Sequence, residues 1–243
     1  MPSKTEIVFR RKVRRVWLEE GMALAAKGLS WADARLVVAK EITAENQGIE
    51  TISKVLEHIK RIWFEPPIEA YELHSDALKI YSADSSHETK AILNWGMMIA
   101  SYPFVGSTGE ALGRLLKLQK DAFRSDVQRR MREQYGDRDF VNRITRYNIS
   151  SFLDWGIIKE TQKKGTYVEG KKAKPNLPEY LAWLTEAVLI SLGKTQIAFF
   201  ELCNHPILFP VELDTINSNL MHCNQRLRVE RQNLSDEHIF LKT

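Results

Sequence analysis

Cysteine is scarce in this chain, and its scarcity argues against a disulfide scaffold. The 243 residues include two cysteines, Cys203 and Cys223. Small secreted domains that depend on disulfides carry several cysteine pairs, so we expect a reducing setting, the cytoplasm. The first residues are basic but lack the apolar stretch of a signal peptide, which agrees with that expectation.

Long apolar runs are also missing. The longest, "WGMMIASYPFVG" and "YLAWLTEAVLISLG", are too short or too interrupted to span a bilayer. The overall content is 44% hydrophobic and 27% charged, which is ordinary for a folded globular protein. The sequence therefore predicts a folded protein without a membrane partner.

The signatures of common enzymes are absent. The sequence contains no Walker loop, G-x-S-x-G, H-E-x-x-H or Rossmann fingerprint. We therefore expect no catalysis and no cofactor. An enzyme whose active site is assembled from distant positions stays a third, weaker alternative.

Two clusters contain possible metal ligands, and we expect neither to bind a metal. Glu69, Glu72 and Asp76 have the spacing of one helix face, which is more often solvated than a Mg²⁺ site. The only other group is Cys203, His205, His222 and Cys223, in which the adjacent His222 and Cys223 point to different sides of a helix or strand.

Charge is distributed unevenly, although the net charge is only +4. Between Leu112 and Lys174, 16 lysines and arginines stand against 8 acidic residues, whereas the rest of the chain has 19 basic and 23 acidic residues. A positive field on one region draws a polyanion to it. This asymmetry points to nucleic acid as a partner.

The hydrophobic pattern predicts a mainly α fold in three parts. Residues 1–105 read as a helical domain, 106–175 as a central winged helix-turn-helix domain, and 176–243 as a mixed α/β region with a helix and a closing β-hairpin. In the first part we expect a helix over residues 6–28 that ends at Gly28, and helix caps at Ser30 and Ser86.

The central part changes from helical to alternating periodicity at Gly156. "PFVGSTGE" predicts a loop, and Ser125 with Gln128 matches a capping box. "FVNRITRYNISSFLDW" then predicts a helix, and "IIKETQKKGTYVEG" predicts a hairpin with a basic turn.

This order, with "RSDVQRRM", "VNRITRYNISSFLDWG" and "IIKETQKKGTYVEG" in succession, resembles the winged helix-turn-helix superfamily over residues 109–174. The resemblance implies that the second of these segments is a recognition helix and the third is a wing. It also implies double-stranded DNA as the partner.

Within this resemblance, ten polar side chains are candidate DNA contacts. Arginine pairs bidentately with guanine and asparagine with adenine, while lysines contact phosphates. The candidates are Arg129, Arg130, Arg138, Asn142, Arg143, Arg146, Lys163, Lys164, Lys171 and Lys172. Five basic residues between Arg10 and Arg15 form a possible second phosphate-binding strip, although a solvated helix face is the better explanation of this run taken alone.

The predicted function is non-enzymatic DNA binding, as a regulator or as the DNA-contacting subunit of a larger complex with other proteins. The alternative is a protein–protein interaction scaffold whose winged helix does not contact DNA. The N-terminal layout, a helix pair followed by "ENQGIETISKVLEHIKRIW", is faintly similar to that of the BrxA accessory proteins of BREX phage-defence systems, a helical family with a winged helix. This similarity implies a phage-defence context.

Overall fold

The computed structural model describes residues 9–45, 47–213, 217–233 and 236–242. Within them the α-helices are α1 (Arg15–Ala26), α2 (Trp31–Ala44), α3 (Ile49–Trp63), α4 (Tyr71–Ala83), α5 (His87–Ser101), α6 (Pro103–Gln119), α7 (Arg124–Tyr135), α8 (Asp139–Trp155), α9 (Pro178–Leu192) and α10 (Phe199–Asn204). Short 3-10 helices cover Ile68–Ala70, Pro206–Leu208 and Ser218–Cys223. None of the described helices combines the length and apolar character needed to cross a membrane.

Six strands form two small antiparallel sheets among the described residues. In the first, β3 (Thr166–Glu169) lies between β1 (Ala122–Phe123) and β2 (Ile158–Glu160). In the second, β6 (Asp236–Leu241) lies between β4 (Gln196–Ala198) and β5 (Leu227–Asn233). The predicted mainly α fold with a mixed α/β C-terminal region is confirmed. The expected "NLSD" turn of the closing hairpin includes residues 234–235, which lie outside the described residues.

The segment before α1 is extended, so the prediction of a helix from residue 6 is wrong for residues 9–14. Its backbone bonds to α8 instead of to itself. The amide of Val13 donates to Ser151 Oγ at 3.0 Å, and Trp155 Nε1 donates to the Val13 carbonyl at 2.9 Å. Residues 6–8 of the predicted helix lie outside the described part of the chain.

Two of the three predicted side-chain caps are present. The hydroxyls of Ser30 and Ser86 accept hydrogen bonds from the third residue of their helices. The capping box at Ser125 is wrong, because α7 begins at Arg124, directly after β1. The Gln128 side chain bonds the Asn142 carbonyl on α8 instead, at 3.2 Å.

The predicted loop "PFVGSTGE" is helical, because α6 begins at Pro103. Its glycines allow close packing and do not break the helix. A Cβ at Gly106 would lie 2.3 Å from Ser191 Oγ, one at Gly109 would lie 2.7 Å from the Trp95 ring, and one at Gly113 would lie 2.1 Å from a backbone oxygen.

The core joins the N-terminal helices to the C-terminal region through α9. Trp183 on α9 is buried, and its Nε1 donates to the Leu73 carbonyl on α4 at 2.9 Å. A Cβ at Gly96 on α5 would lie 2.3 Å from the Trp183 ring, so glycine is required where α5 and α9 cross. The predicted boundaries at 105 and 175 therefore separate segments that share packing, and they stay predictions.

Candidate nucleic-acid interface

Helix α8 presents polar side chains to solvent and packs most of its apolar residues into the core. Its buried side chains include Val141, Ile144 and Phe152. Arg143 and Arg146 are exposed, and their spacing of three residues places them on one face. As predicted, the two arginines lie on the same exposed face of this helix.

The two arginines are available for a ligand. No carboxylate of the described residues lies within 4.0 Å of either side chain. Arg143 lies over the ring of Phe140, with its guanidinium carbon 5.7 Å from the ring centroid. This contact supports the Arg143 side chain without neutralising its charge.

The end of α8 is set by Gly156, as predicted. Gly156 has φ +76°, and the amides of Gly156 and Ile157 donate to the Leu153 and Phe152 carbonyls. Glycine adopts this left-handed conformation without the steric cost of a Cβ. The chain then turns directly into β2, so the hairpin is fixed to the end of α8.

The hairpin turn carries two exposed lysines. Lys163 lies over the Phe123 ring at 4.7 Å, and Lys164 has no carboxylate partner among the described side chains. The turn itself is held by Glu160, whose Oε1 accepts a hydrogen bond from the Gly165 amide at 2.7 Å. Lys163 and Lys164 therefore extend from an ordered turn with their charges available.

Arg124, the first residue of α7, contacts the β2–β3 hairpin. Its Nε donates to the Tyr167 hydroxyl at 2.8 Å, and its amide donates to the Gly165 carbonyl. Burial raises the pKa of Tyr167, and the hydrogen bond from Arg124 only partly opposes this. Tyr167 thus stays a neutral phenol that ties the start of α7 to the hairpin.

Three other candidate DNA contacts, on α7 and α8, are less available to a ligand. Arg129 bonds Glu133 at 3.0 Å and lies 3.8 Å from Asp126, so its charge is partly neutralised within α7. Arg130 is half-buried. Asn142 Oδ1 accepts a hydrogen bond from Arg132 at 3.0 Å, which holds the amide against α7.

The lysines after the hairpin also have acidic partners. Lys171 bonds Glu88 at the start of α5 at 2.5 Å, and Lys172 lies 3.0 Å from Glu169. Arg138, at the start of α8, is exposed and has no carboxylate partner among the described residues. The candidates that are exposed and have no carboxylate partner among the described residues are therefore Arg138 at the N-cap of α8, Arg143 and Arg146 on α8, and Lys163 and Lys164 at the turn.

The basic strip from Arg10 to Arg15 is largely ion-paired. Arg11 contacts Glu50, Arg14 contacts Glu45, and Lys12 lies 3.0 Å from Asp154. Burial tends to raise the pKa of Asp154, but the Arg15 amide, Lys12 and Arg14 outweigh it and lower that pKa. The ion pairs with Glu50 and Asp154 connect the basic strip to α3 and α8.

Arg10 and Lys54 were not predicted as parts of the α8 surface. Together with Arg143 and Phe140 they line a polar groove of about 320 Å³ between the N-terminal segment, α3 and α8. No local motif marks this group, because Lys54 and Arg143 lie on helices far apart in the sequence. The groove adds positive charge next to the proposed recognition helix.

The suggested metal ligands are not grouped as a site. Among the described residues, no three histidine, cysteine, aspartate or glutamate side chains are placed to hold a metal ion. Asp76 instead bonds Arg226 at 2.7 Å and Lys79 at 2.9 Å.

Comparison of the chain with protein-family models, with curated proteins and with solved structures gives no match.

Proposed function

We propose that this chain binds double-stranded DNA through α8 and the β2–β3 hairpin, without catalysing a reaction. The supporting observation is the outer face of α8, where Arg143 and Arg146 are exposed and unpaired among the described side chains. An α-helix fits the major groove, where arginine pairs with guanine. The winged-helix resemblance agrees with this geometry.

The hairpin supplies the second part of the proposed interface. Lys163 and Lys164 lie at a turn that follows α8 closely, as a wing follows a recognition helix. Lysines in this position contact phosphates, which orient the protein on the duplex without reading its sequence. Sequence readout is therefore assigned to α8 and general affinity to the turn.

We also propose a biological setting for this DNA binding. The similarity of the N-terminal helices to BrxA accessory proteins supports a role as the DNA-contacting subunit of a phage-defence complex in the cytoplasm. A regulator acting alone would use the same interface.

A titration of fluorescein-labelled duplex DNA of mixed sequence, followed by anisotropy, tests the proposal. Arg143→Ala with Arg146→Ala should weaken binding at least about tenfold. The matched control is Arg228→Ala with Arg231→Ala, which removes two arginines from β5 that pair with Glu230 and Glu237. The control should bind like the wild type, and equal loss in both double variants would overturn the assignment to α8.

A protein interaction scaffold is the second candidate, and exposed apolar side chains favour it. Leu36 on α2 is 71% exposed, and Ile49 at the start of α3 is 88% exposed. Apolar exposure of this kind is typical of protein-binding surfaces when the side chains are contiguous. A partner bound there should persist at high salt, unlike DNA bound through phosphates.

A further inference from the structure

The polar groove beside α8 lies where three parts of the chain meet. It has a volume of about 320 Å³, and its walls come from the N-terminal segment, from α3 and from the first half of α8. Four basic side chains line it with one acidic side chain, Glu50, so the positive charges outnumber the negative. Of these basic residues the proposed function uses only Arg143, and the other three have no role in it.

Two of these three basic residues already have acidic partners. Arg11 contacts Glu50, and Lys54 lies 3.0 Å from Glu57. The third, Arg10, is exposed, and no carboxylate of the described residues lies within 4.0 Å of its side chain. The charge of Arg10 is therefore available to a ligand in the groove.

Arg10 is also the exception within the basic strip of the N-terminal segment. Each of the other four basic residues has a carboxylate oxygen within 4.0 Å: Arg11, Lys12, Arg14 and Arg15. Ion pairs within the fold account for those four side chains. They do not account for Arg10, which has no such partner among the described residues.

The backbone at Arg10 is held in place by its neighbours. The Phe9 side chain is buried, and its ring centroid lies 4.6 Å from that of His58. The Arg10 amide donates to His58 Nε2 at 3.0 Å. Successive side chains of an extended chain point in opposite directions, so the burial of Phe9 directs Arg10 outwards. Arg10 therefore extends from an ordered segment.

The basic side chains of the groove are close enough to act on one buried ring. Burial is the main cause of the lowered pKa of His58, and the positive charges of Lys54, Arg10 and Arg11 lower that pKa further. Like charges at short range repel each other, and an anion bound between them relieves the repulsion. The groove therefore favours an anionic ligand.

We propose that Arg10 binds a phosphate of the DNA backbone in this groove, beside the base pairs that α8 contacts. This inference rests on the proposed function, because Arg143 lines the groove and also lies on the exposed face of α8. A duplex that meets Arg143 therefore brings its backbone close to Arg10. The guanidinium group donates two parallel hydrogen bonds to phosphate oxygens, which suits arginine to this contact.

DNA is a better source of this phosphate than a free anion. Ion pairs at exposed sites are weak, so Arg10 alone does not hold a small anion. A phosphate of a duplex already bound at α8 arrives at a high effective concentration, so the same contact then adds to affinity. A phosphate contact of this kind strengthens binding without reading sequence.

The contact adds a second phosphate-binding position along α8. Lys163 and Lys164 belong to the hairpin that follows the C-terminal end of the helix, whereas the groove lies beside its N-terminal half. Arg10, Lys163 and Lys164 together make three phosphate contacts. At about −0.9 for each contact, they account for a salt slope of about −3.

Anisotropy titrations of labelled duplex DNA at several salt concentrations test the role of Arg10. Arg10→Ala should make the slope of log K against log [salt] shallower by about 0.9. Its loss of affinity should be about equal for two duplexes of unrelated sequence, whereas the loss in Arg143→Ala should depend on the sequence. Arg10→Gln, which keeps a long polar side chain without the charge, replaces Arg10→Ala if that variant does not fold.

Lys12→Ala is the matched control. It removes a positive charge two residues away from Arg10, but Lys12 is paired with Asp154 at 3.0 Å. Its salt slope should therefore equal that of the wild type. A wild-type slope in the Arg10 variant, or an equal change in Lys12→Ala, would overturn the assignment of the contact to Arg10.

The same titrations separate this inference from the proposed function. If Arg143→Ala with Arg146→Ala weakens binding while the Arg10 variant keeps the wild-type slope, α8 binds DNA and only the phosphate contact is wrong. If the wild type does not bind DNA at low salt, both are wrong.

Isothermal titration with sodium phosphate at constant ionic strength distinguishes the two sources of the anion. The wild type should show no saturable binding up to about 10 mM phosphate. Saturable binding that Arg10→Ala removes would assign the groove to a free anion and overturn the proposal.

Discussion

His58 is a buried histidine that stays neutral because of its surroundings. Its Nε2 accepts a hydrogen bond from the Arg10 amide at 3.0 Å, and its Nδ1 lies 2.8 Å from the Tyr102 hydroxyl. Burial lowers the pKa of His58 to about 3, and the nearby positive charges of Lys54 and Arg10 add to this shift. The neutral ring on α3 therefore connects the N-terminal segment to Tyr102, the residue between α5 and α6.

This environment predicts a specific loss of stability in acid. The ordinary pKa of 6.5 is that of the unfolded chain, so His58 takes up a proton on unfolding at any pH between 6.5 and about 3. The free energy of unfolding should fall as the pH decreases through this range. At pH 4 this protonation difference lowers the free energy of unfolding by about 3 kcal/mol, at roughly 1.4 kcal/mol for each pKa unit.

Urea unfolding at a series of pH values measures this effect. His58→Gln keeps an acceptor but cannot take up the proton, so its unfolding free energy should decrease less between pH 7 and pH 4 than that of the wild type. His222→Gln, at an exposed histidine, is the control and should follow the wild-type curve. Parallel curves for His58→Gln and the wild type would contradict the account.

Individual side chains were predicted from the sequence where their role is local. The caps at Ser30 and Ser86 depend on residues three positions away, and the shared face of Arg143 and Arg146 depends on helical spacing alone. Asn142 was predicted to face DNA, but Arg132 of α7 holds its side chain. That contact depends on how two helices pack, which the spacing within one helix does not reveal.

At the scale of elements, the hairpin depends on two glycines for different reasons. Gly156 needs its positive φ of +76°, but a Cβ there would meet nothing within 4 Å. Gly170 donates to the Ile157 carbonyl at 2.9 Å, and a Cβ there would lie 1.9 Å from the Gly156 carbonyl oxygen. Gly156 is therefore required for its backbone conformation, and Gly170 is required because there is no space for a Cβ.

We therefore expect Gly170→Ala to be the more damaging substitution. Gly156→Ala should cost about 1–2 kcal/mol, the penalty of a left-handed alanine. Gly170→Ala should cost about 3 kcal/mol or more, because backbone atoms must move. Gly48→Ala, where φ is −67° and no atom lies within 4 Å of a Cβ, is the control. Urea unfolding gives all three values, and an equal cost at Gly156 and Gly170 would contradict the packing argument.

The element order was predictable because periodicity and turn residues are local signals. The change from helix to hairpin at Gly156, and the basic turn of that hairpin, could both be predicted from these local signals. The short strand β1 was not predicted, since its two residues have no pattern of their own and pair with β3. The start of α6 was missed because its glycines resemble a loop, whereas they serve the packing against α5 and the C-terminal region.

At the scale of the whole molecule, the three predicted segments share one hydrophobic core. Buried residues from Phe9 to Ile239 belong to one cluster, and α9 packs into the N-terminal helices. The amides of Val13 and Arg15 also donate to Ser151 and Asp154 on α8. These contacts couple the stability of the three segments.

We therefore expect one cooperative unfolding transition. Circular dichroism at 222 nm, which follows the helices, and tryptophan fluorescence should give coincident urea curves. Val13→Asp, which buries a charge beside α8, should shift both curves together. Two separated transitions would show that the segments unfold as independent domains.

The salt dependence of DNA binding tests the central claim most directly. Anisotropy titrations of labelled duplex DNA at several salt concentrations give the slope of log K against log [salt], which is about −0.9 for each phosphate contact. The wild type should show a slope of about −3 or steeper, and Lys163→Ala with Lys164→Ala should make it shallower by about 2. No binding at low salt, or a slope near zero in the wild type, would contradict DNA binding through α8 and the hairpin.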